Sequence, residues 1–272
     1  MLFRSILIVA GLVWLIYTLA APRTLANGAV VTGVFDPARL DILTQPVLWK
    51  GVWDALLNTL KLAFVAAVFA MVLGILVSFA RTARSRWVRV PTAIVLEFVR
   101  GIPILLMMLF VLLVFSVGAF WAGAAALALY NGALIGEYLR AGIQSLPRGQ
   151  REAGLAIGLS TVQTRMLIEF PQAFRQMLPI IVAQLVVLLK DTSLAYVVGY
   201  AELLRTVANY MASYYGNQYQ FTLFGIVLVV YLTVNLLLSW LARSLARRRG
   251  SRAPSAVVRM PAVNVGGPAA GV

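Results

Sequence analysis

The sequence predicts an all-α fold, a polytopic membrane protein of six transmembrane helices, and three observations predict it. Hydrophobic residues make up 61% of the 272 residues and charged residues 12%, against roughly 45–50% and about 25% in a soluble domain. With a mean hydropathy of +0.89, the chain cannot assemble an ordinary water-facing surface. Second, charge-free stretches recur that reach the ~20 residues a helix needs to cross the ~30 Å hydrocarbon core. Third, the 23 Lys and Arg, which give a net charge of +14, bracket those stretches instead of lining one face. That distribution is a topology signal and argues against nucleic acid as a partner.

Composition also excludes chemistry. The chain has no His and no Cys, which removes Ser/His/Asp triads, Cys nucleophiles, disulfides and His/Cys zinc sites. Lys50, Lys61 and Lys190 precede Gly51, Leu62 and Asp191, so no lysine belongs to a phosphate-cradling G-x-x-x-x-G-K-[ST] loop. No catalytic residue, metal or cofactor is expected, and any ATP used is hydrolysed by another chain.

In chain order, Ser5 to Ala21 is the first candidate span, flanked by Arg4 and Pro22-Arg23. Leu19-Ala20-Ala21 also suits cleavage of a signal peptide, but the apolar stretch exceeds the usual 7–15 residues of such signals, which favours a retained helix. Thr24 to Val52 reads as an extracytoplasmic loop. Leu62 to Ala80 is a second span, entered around Trp53 to Lys61. The uncharged run from Ile102 to Gly136 is too long for one crossing. Ser116-Val117-Gly118 offers a tight hairpin inside it, giving spans of about 92–115 and 119–139. Gln176 to Val198 and Phe221 to Leu241 complete the set. Before the last span, Tyr210, Tyr214, Tyr215 and Tyr219 alternate with amides, as suits a membrane–water interface. Gly250 to Val272 has no apolar period and reads as a disordered tail.

The basic residues orient this bundle. Four arginines lie between 81 and 89, five between 140 and 175, six between 243 and 259, and Arg4 makes sixteen on the expected cytoplasmic side. Arg23, Arg39, Lys50 and Arg205 are the four on the other; Lys61, Arg100 and Lys190 lie in or at the edge of spans. The bias places both termini in the cytoplasm. The division that follows is residues 1–52 as an N-terminal helix and loop, 53–245 as the membrane domain with a cytoplasmic loop at 141–175, and 246–272 as the tail.

That loop is too polar to cross lipid and too regular to be slack. Pro147 opens a helix running to about Ile157, and Gly158 is a left-handed terminator. Ser160 with Gln163 forms a capping box for a second helix, which Pro171 is expected to end. Two short helices meeting at a glycine make a stiff projecting elbow. Its small and apolar residues (Ala153, Leu155, Ala156, Ile157) fit docking on a protein better than lying on lipid, since Ala and Gly are poor anchors there.

At this point the loop resembles the signature of the permeases of ABC importers. Glu152-Ala153-Gly154 is followed after three residues by Gly158, and nine residues later by Ile168-Glu169-Phe170-Pro171. Gly154 and Phe170 depart from the alanine and leucine of that pattern. Asn58 to Lys61, Glu97 to Pro103, Tyr130 to Gln150 and Lys190 to Leu194 resemble the polar-amino-acid subfamily, the wording of Tyr130 to Ser160 being most like glutamate-type permeases. The resemblance covers roughly Val52 to Leu245. It implies a five-helix type I importer core plus one N-terminal helix, in a bacterial inner membrane. It also implies two ATPase subunits, a second permease (identical or a sister), and an extracytoplasmic substrate-binding protein. Arg151, Glu152, Ala153, Gly154, Leu155 and Gly158 would then couple the spans to the ATPase.

Glu97, Arg100, Glu137, Lys190 and Asp191 fall in or near spans, where a charge costs about 2.5–3.5 kcal/mol and usually faces a cavity or a partner. Glu97 and Arg100 share a helix face at i,i+3, just before Gly101 and Pro103, which should loosen the helix. Lys190 and Asp191 are about 100° apart and cannot face the same way. These charges, with the hydroxyls of Thr192 and Ser193, either hold helices in register or line the path of an amino acid. An ion-gradient-driven transporter is the rival reading; it would want broken helices repeated in two inverted halves, and Gly101-Ile102-Pro103 has no counterpart in the second half.

Overall fold

The protein is described from a computed structural model, which covers residues 39–250 continuously and, ahead of them, 9–11, 13–14, 16–17, 20–24, 30–31, 33 and 36. Much of the first expected span, Ser5–Ala21, and the tail from 251 onward lie outside the described residues. A two-residue antiparallel ladder pairs β1 (Arg23–Thr24) with β2 (Val30–Val31). Everything else of regular structure that is described is helical.

Helix α1 runs from Pro46 to Arg81. Proline starts it because the first helical N–H has no partner to lose, so the helix begins inside the loop expected to last until Val52. Its 36 residues span about 54 Å, well beyond the ~30 Å thickness of the hydrocarbon core. Helices α2 (Arg86–Gly101) and α3 (Ile104–Phe115) follow. The crossing expected at 92–115 is not one rod: the two axes meet at 102°. Ile102 is extended (φ −86°, ψ 129°), the conformation a following proline imposes. Helix α3 alone, at 12 residues or about 18 Å, is too short to cross. It closes on Ser116 in the left-handed region (φ 50°), which delivers the expected hairpin into α4 (Ala119–Ser145).

The elbow comprises α5 (Arg148–Ala156) and α6 (Thr161–Thr164). Pro171 does not end the second elbow helix. A π turn over Arg165–Glu169 widens the helix, the Phe170 N–H reaching Arg165 O; Pro171 then sits in the first turn of α7 (Phe170–Asp191), where a missing N–H costs nothing. The elbow therefore continues without a break into the fifth span, which extends over Thr161–Tyr196 and ends in a 3₁₀ turn at Thr192–Tyr196. Beyond it come a π-helical segment (Leu204–Met211), α8 (Ala212–Tyr215) and α9 (Gln220–Gly250). The last helix passes the expected start of the tail at 246. Among the described residues, four helices are long and apolar enough to cross a membrane, and the bent α2–α3 pair makes five.

Helix α4 is the centre of the bundle and packs tightest on α1. On α1, Ala66, Ala70, Gly74 and Ser78 recur every fourth residue and are buried; on α4, Ala124, Ala128, Gly132 and Gly136 do the same. Small residues let two backbones approach where lipid offers no hydrophobic drive. The approach is close enough that a Cβ on Gly136 would lie 2.3 Å from Val77 Cγ1, and one on Gly74 2.6 Å from Ile135 Cγ2. A second core, at the end of the bundle away from the elbow, joins Leu48 and Val52 to Leu203, Val207 and Leu223. Phe64, Leu76, Phe110, Leu113, Leu228 and Leu237 stay exposed, an apolar exterior suited to lipid.

Candidate functional site: an elbow and a lateral cavity

The elbow is capped on both sides of its turn. Gly158 takes φ +84°; its N–H donates to Leu155 O at 3.0 Å and that of Leu159 to Gly154 O at 3.1 Å, the paired bonds of a glycine-terminated helix. Next, Gln163 N–H donates to Ser160 Oγ, and Ser160 N–H to Gln163 Oε1 at 2.9 Å, completing the expected capping box. Of the six residues read as coupling residues, Arg151, Glu152, Ala153, Leu155 and Gly158 are exposed, and Gly154 is buried. Gly154 faces inward because Thr164 occupies the adjoining space: a Cβ there would lie 2.5 Å from Thr164 Cγ2. Around the exposed tip, Leu155, Ile157 (75% exposed), Val162 and Leu167 present an apolar cap to solvent.

At the elbow's base, the Glu137 carboxylate accepts from Arg81 Nε at 2.8 Å and Arg140 Nε at 2.7 Å. This fastens α1 to α4, with Glu137 at the elbow end of its helix. Glu97 and Arg100 do pair, at 3.3 Å, on an exposed face of α2 immediately before the bend.

Lys190 and Ser193 come together in a cavity of about 450 Å³ between the end of α7 and α9. Tyr231, Asn235 and Ser239 face them, with Phe224 and Leu228 forming an apolar wall. Asp191 and Thr192 do not line it. Thr192 is fully buried and donates to Leu189 O at 2.6 Å, while the Ser193 hydroxyl donates to Lys190 O. The expectation that Lys190 and Asp191 diverge is met.

The structure adds a group that the sequence reading did not single out. Glu202 is fully buried, just before the π-helical segment. Its carboxylate accepts from Arg205 N–H (2.6 Å), Leu204 N–H (2.8 Å) and the Tyr231 hydroxyl (2.9 Å). Burial pushes the Glu202 carboxyl above its ordinary range, and the three donors act against that rise. Nearby, Thr59 Oγ1 accepts from Leu203 N–H at 3.0 Å, Asn58 Nδ2 donates to Ala201 O, and Tyr200 donates to Asn58 O. Together these bonds tie α1 and α9 to the segment from Tyr200 to Arg205. The signal in the sequence is an acidic residue two and three positions ahead of backbone donors at a helix start, as at an N-cap. A second chain of polar contacts, Tyr138 to Gln184 to Asn131, joins α4 to α7.

Lipid-facing spans around a stiff, doubly capped elbow make this the membrane permease of a transporter. The chain belongs to the family described as binding-protein-dependent transport system inner membrane component, whose model matches residues 70–251. It is 35% identical over 221 residues to the glutamate transport system permease protein GluD of Corynebacterium glutamicum, covering 78% of each chain. Over 215 residues it is 34% identical to the glutamine transport system permease protein GlnP of Escherichia coli K12, covering 74% of this chain and 96% of that one. A crystal structure of an amino acid ABC transporter with histidines superposes with a TM-score of 0.68 at 28% identity, over 76% of this chain and 98% of that one. The MetNI methionine ABC transporter shares the fold, with a TM-score of 0.61 at 21% identity. The chain is thus a multi-pass permease of the polar-amino-acid type I ABC class.

Proposed function

We propose that this permease forms the translocation path of an ATP-driven importer of glutamate or a closely related amino acid, and that its elbow is the part that receives the work of ATP hydrolysis. The carrying observation is the exposed apolar cap of Leu155, Ile157, Val162 and Leu167, rimmed by Glu152 and held rigid by Gly158 and the Ser160–Gln163 box. Apolar groups on a rigid projection gain by burial in a protein groove. Because the elbow is continuous with α7, a displacement at its tip is carried along the fifth span. The ATPase pair, by preferring one separation of two such elbows, shifts the spans between inward-open and outward-open states.

The same reading supplies the remaining assignments. Two ATPase subunits, a second permease and a secreted binding protein complete the complex in a bacterial inner membrane, with both termini of this chain in the cytoplasm. Residues 53–245 form the permease domain, 1–52 an added helix and loop, and 246–272 a tail. Lys190 and Ser193, in a cavity open on one flank, are the candidates to meet the substrate's carboxylate. Glu97, Arg100, Glu137, Asp191 and Thr192 act by holding helices.

The test replaces Glu152 with Arg and Gly158 with Pro in the assembled complex. Both variants are expected to reach the membrane and lose amino-acid uptake while the partner ATPase no longer responds to loaded binding protein. Undiminished uptake in both, or uptake that survives deletion of the ATPase and collapses with the ion gradient, overturns the reading.

A further inference from the structure

A second cavity, of about 260 Å³, lies on the membrane side of the elbow, between the ends of α1 and α4 and the elbow itself. Arg81, Arg89, Arg148, Arg151 and Arg165 line it, against the single carboxylate of Glu169. The balance is less even than nearby pairing suggests. Glu137 is already shared by Arg81 and Arg140. Glu169 forms an ion pair with Arg165 at 3.8 Å, but without a hydrogen bond, and the buried Arg165 Nε is left without one. Arg89, Arg148 and Arg151 form no ion pair among the described residues. Of the five guanidiniums in the recess, three thus have no carboxylate partner, an excess of positive charge that an anion would relieve, and planar guanidiniums suit phosphate oxygens in particular.

The position selects the source of the anion. Arg81 ends the first described span, and Arg89 lies in α2 two residues after Trp87, which is 79% exposed, a residue that prefers the headgroup level. We propose that this recess binds the phosphate of an anionic phospholipid of the cytoplasmic leaflet, clamping the elbow to the ends of α1 and α4. The leaflet assignment rests on the topology given under the proposed function; the binding itself does not require the ATPase. A lipid seated there contacts both the moving elbow and the spans it moves, so its presence biases their relative position.

Native mass spectrometry of the purified full-length chain, titrated with phosphatidylglycerol and separately with phosphatidylcholine, tests this without nucleotide or partner subunits. Phosphatidylglycerol adducts are expected to dominate. Each arginine removed should weaken them about fivefold, the factor equivalent to one basic residue at an anionic surface, so Arg89→Gln with Arg148→Gln should cost about 25-fold. Arg84→Gln with Arg86→Gln removes the same charge outside the recess and should cost far less. Arg148→Gln alone, on an exposed residue with no ion pair, serves should the double variant fail to fold. Equal losses in the two double variants reduce the effect to general surface attraction and overturn the site, as do phosphatidylcholine adducts of equal strength. Inorganic phosphate that binds with sensitivity to Arg89 and Arg148 while phosphatidylglycerol does not overturns the lipid assignment.

Discussion

Gly154 occupies a position at which one methyl group is already too much, because Thr164 Cγ2 would lie 2.5 Å and Ile168 Cδ1 3.0 Å from it. The departure from alanine at this place is thus matched by the threonine ten residues on. Gly154→Ala should lower the thermal stability of the permease by about 1–3 kcal/mol, the usual cost of overpacking. Adding Thr164→Ala should recover most of it, and a double-mutant cycle by thermal unfolding measures the coupling between the two. Recovery is expected because Thr164 Oγ1 is buried without a hydrogen-bond partner, so little is lost with it. Glu202 is the opposite case, a polar group whose every neighbour depends on it. Glu202→Ala leaves two backbone N–H groups and the Tyr231 hydroxyl without their acceptor, at about 1–3 kcal/mol for each buried group left unsatisfied. Hydrogen exchange should show the Leu204–Met211 segment losing protection first. Protection equal to that of the unaltered protein would mean the segment is held by packing alone. Gly158 and the capping box were readable from the sequence, since each acts within three or four residues of itself. The two backbone bonds to Glu202 are just as local, but its full burial and its bond from Tyr231, 29 residues away, were not readable.

At the scale of the helices, the α1–α4 contact is written in a four-residue repeat of small side chains on both partners. The repeat is visible in the sequence; what is not visible is that the two stripes face each other so closely that a Cβ added at Gly74, Gly132 or Gly136 would lie 2.3–2.9 Å from a side chain of the other helix. Gly136→Val places branched carbons against Val77, and the expected result is a reduced yield of folded protein in detergent, measured by size-exclusion profile against an exposed control such as Gly101→Val, which meets open space. A loosening at Gly101-Ile102-Pro103 was legible because it depends on local backbone chemistry; that it divides the expected 92–115 crossing into two helices meeting at 102° was not. Pro171 shows the limit of the same local logic. A proline normally ends a helix, but the π turn ahead of it converts the stop into a start, and a π turn is a compromise between the elbow and the fifth span that no local pattern encodes.

For the molecule as a whole, topology is the testable property. The chain has no cysteine, so single cysteines report accessibility without background. A Ser116→Cys variant should react with a membrane-impermeant maleimide on intact cells, and Gly149→Cys only after permeabilisation. Labelling in the reverse order would invert the bundle and move the elbow away from the nucleotide. The sequence by itself determined that apolar helices recur from Leu62 onward and where the elbow is capped, because lipid demands apolar helices and because caps, glycines and arginine borders act over a few residues. The tertiary structure alone decided which charges meet. Glu137 reaches back 56 residues to Arg81, Lys190 enters a cavity that Asp191 does not, and five arginines gather from three separate segments. Such meetings follow from how finished helices pack, and packing is a property of pairs of surfaces that no single stretch of chain contains.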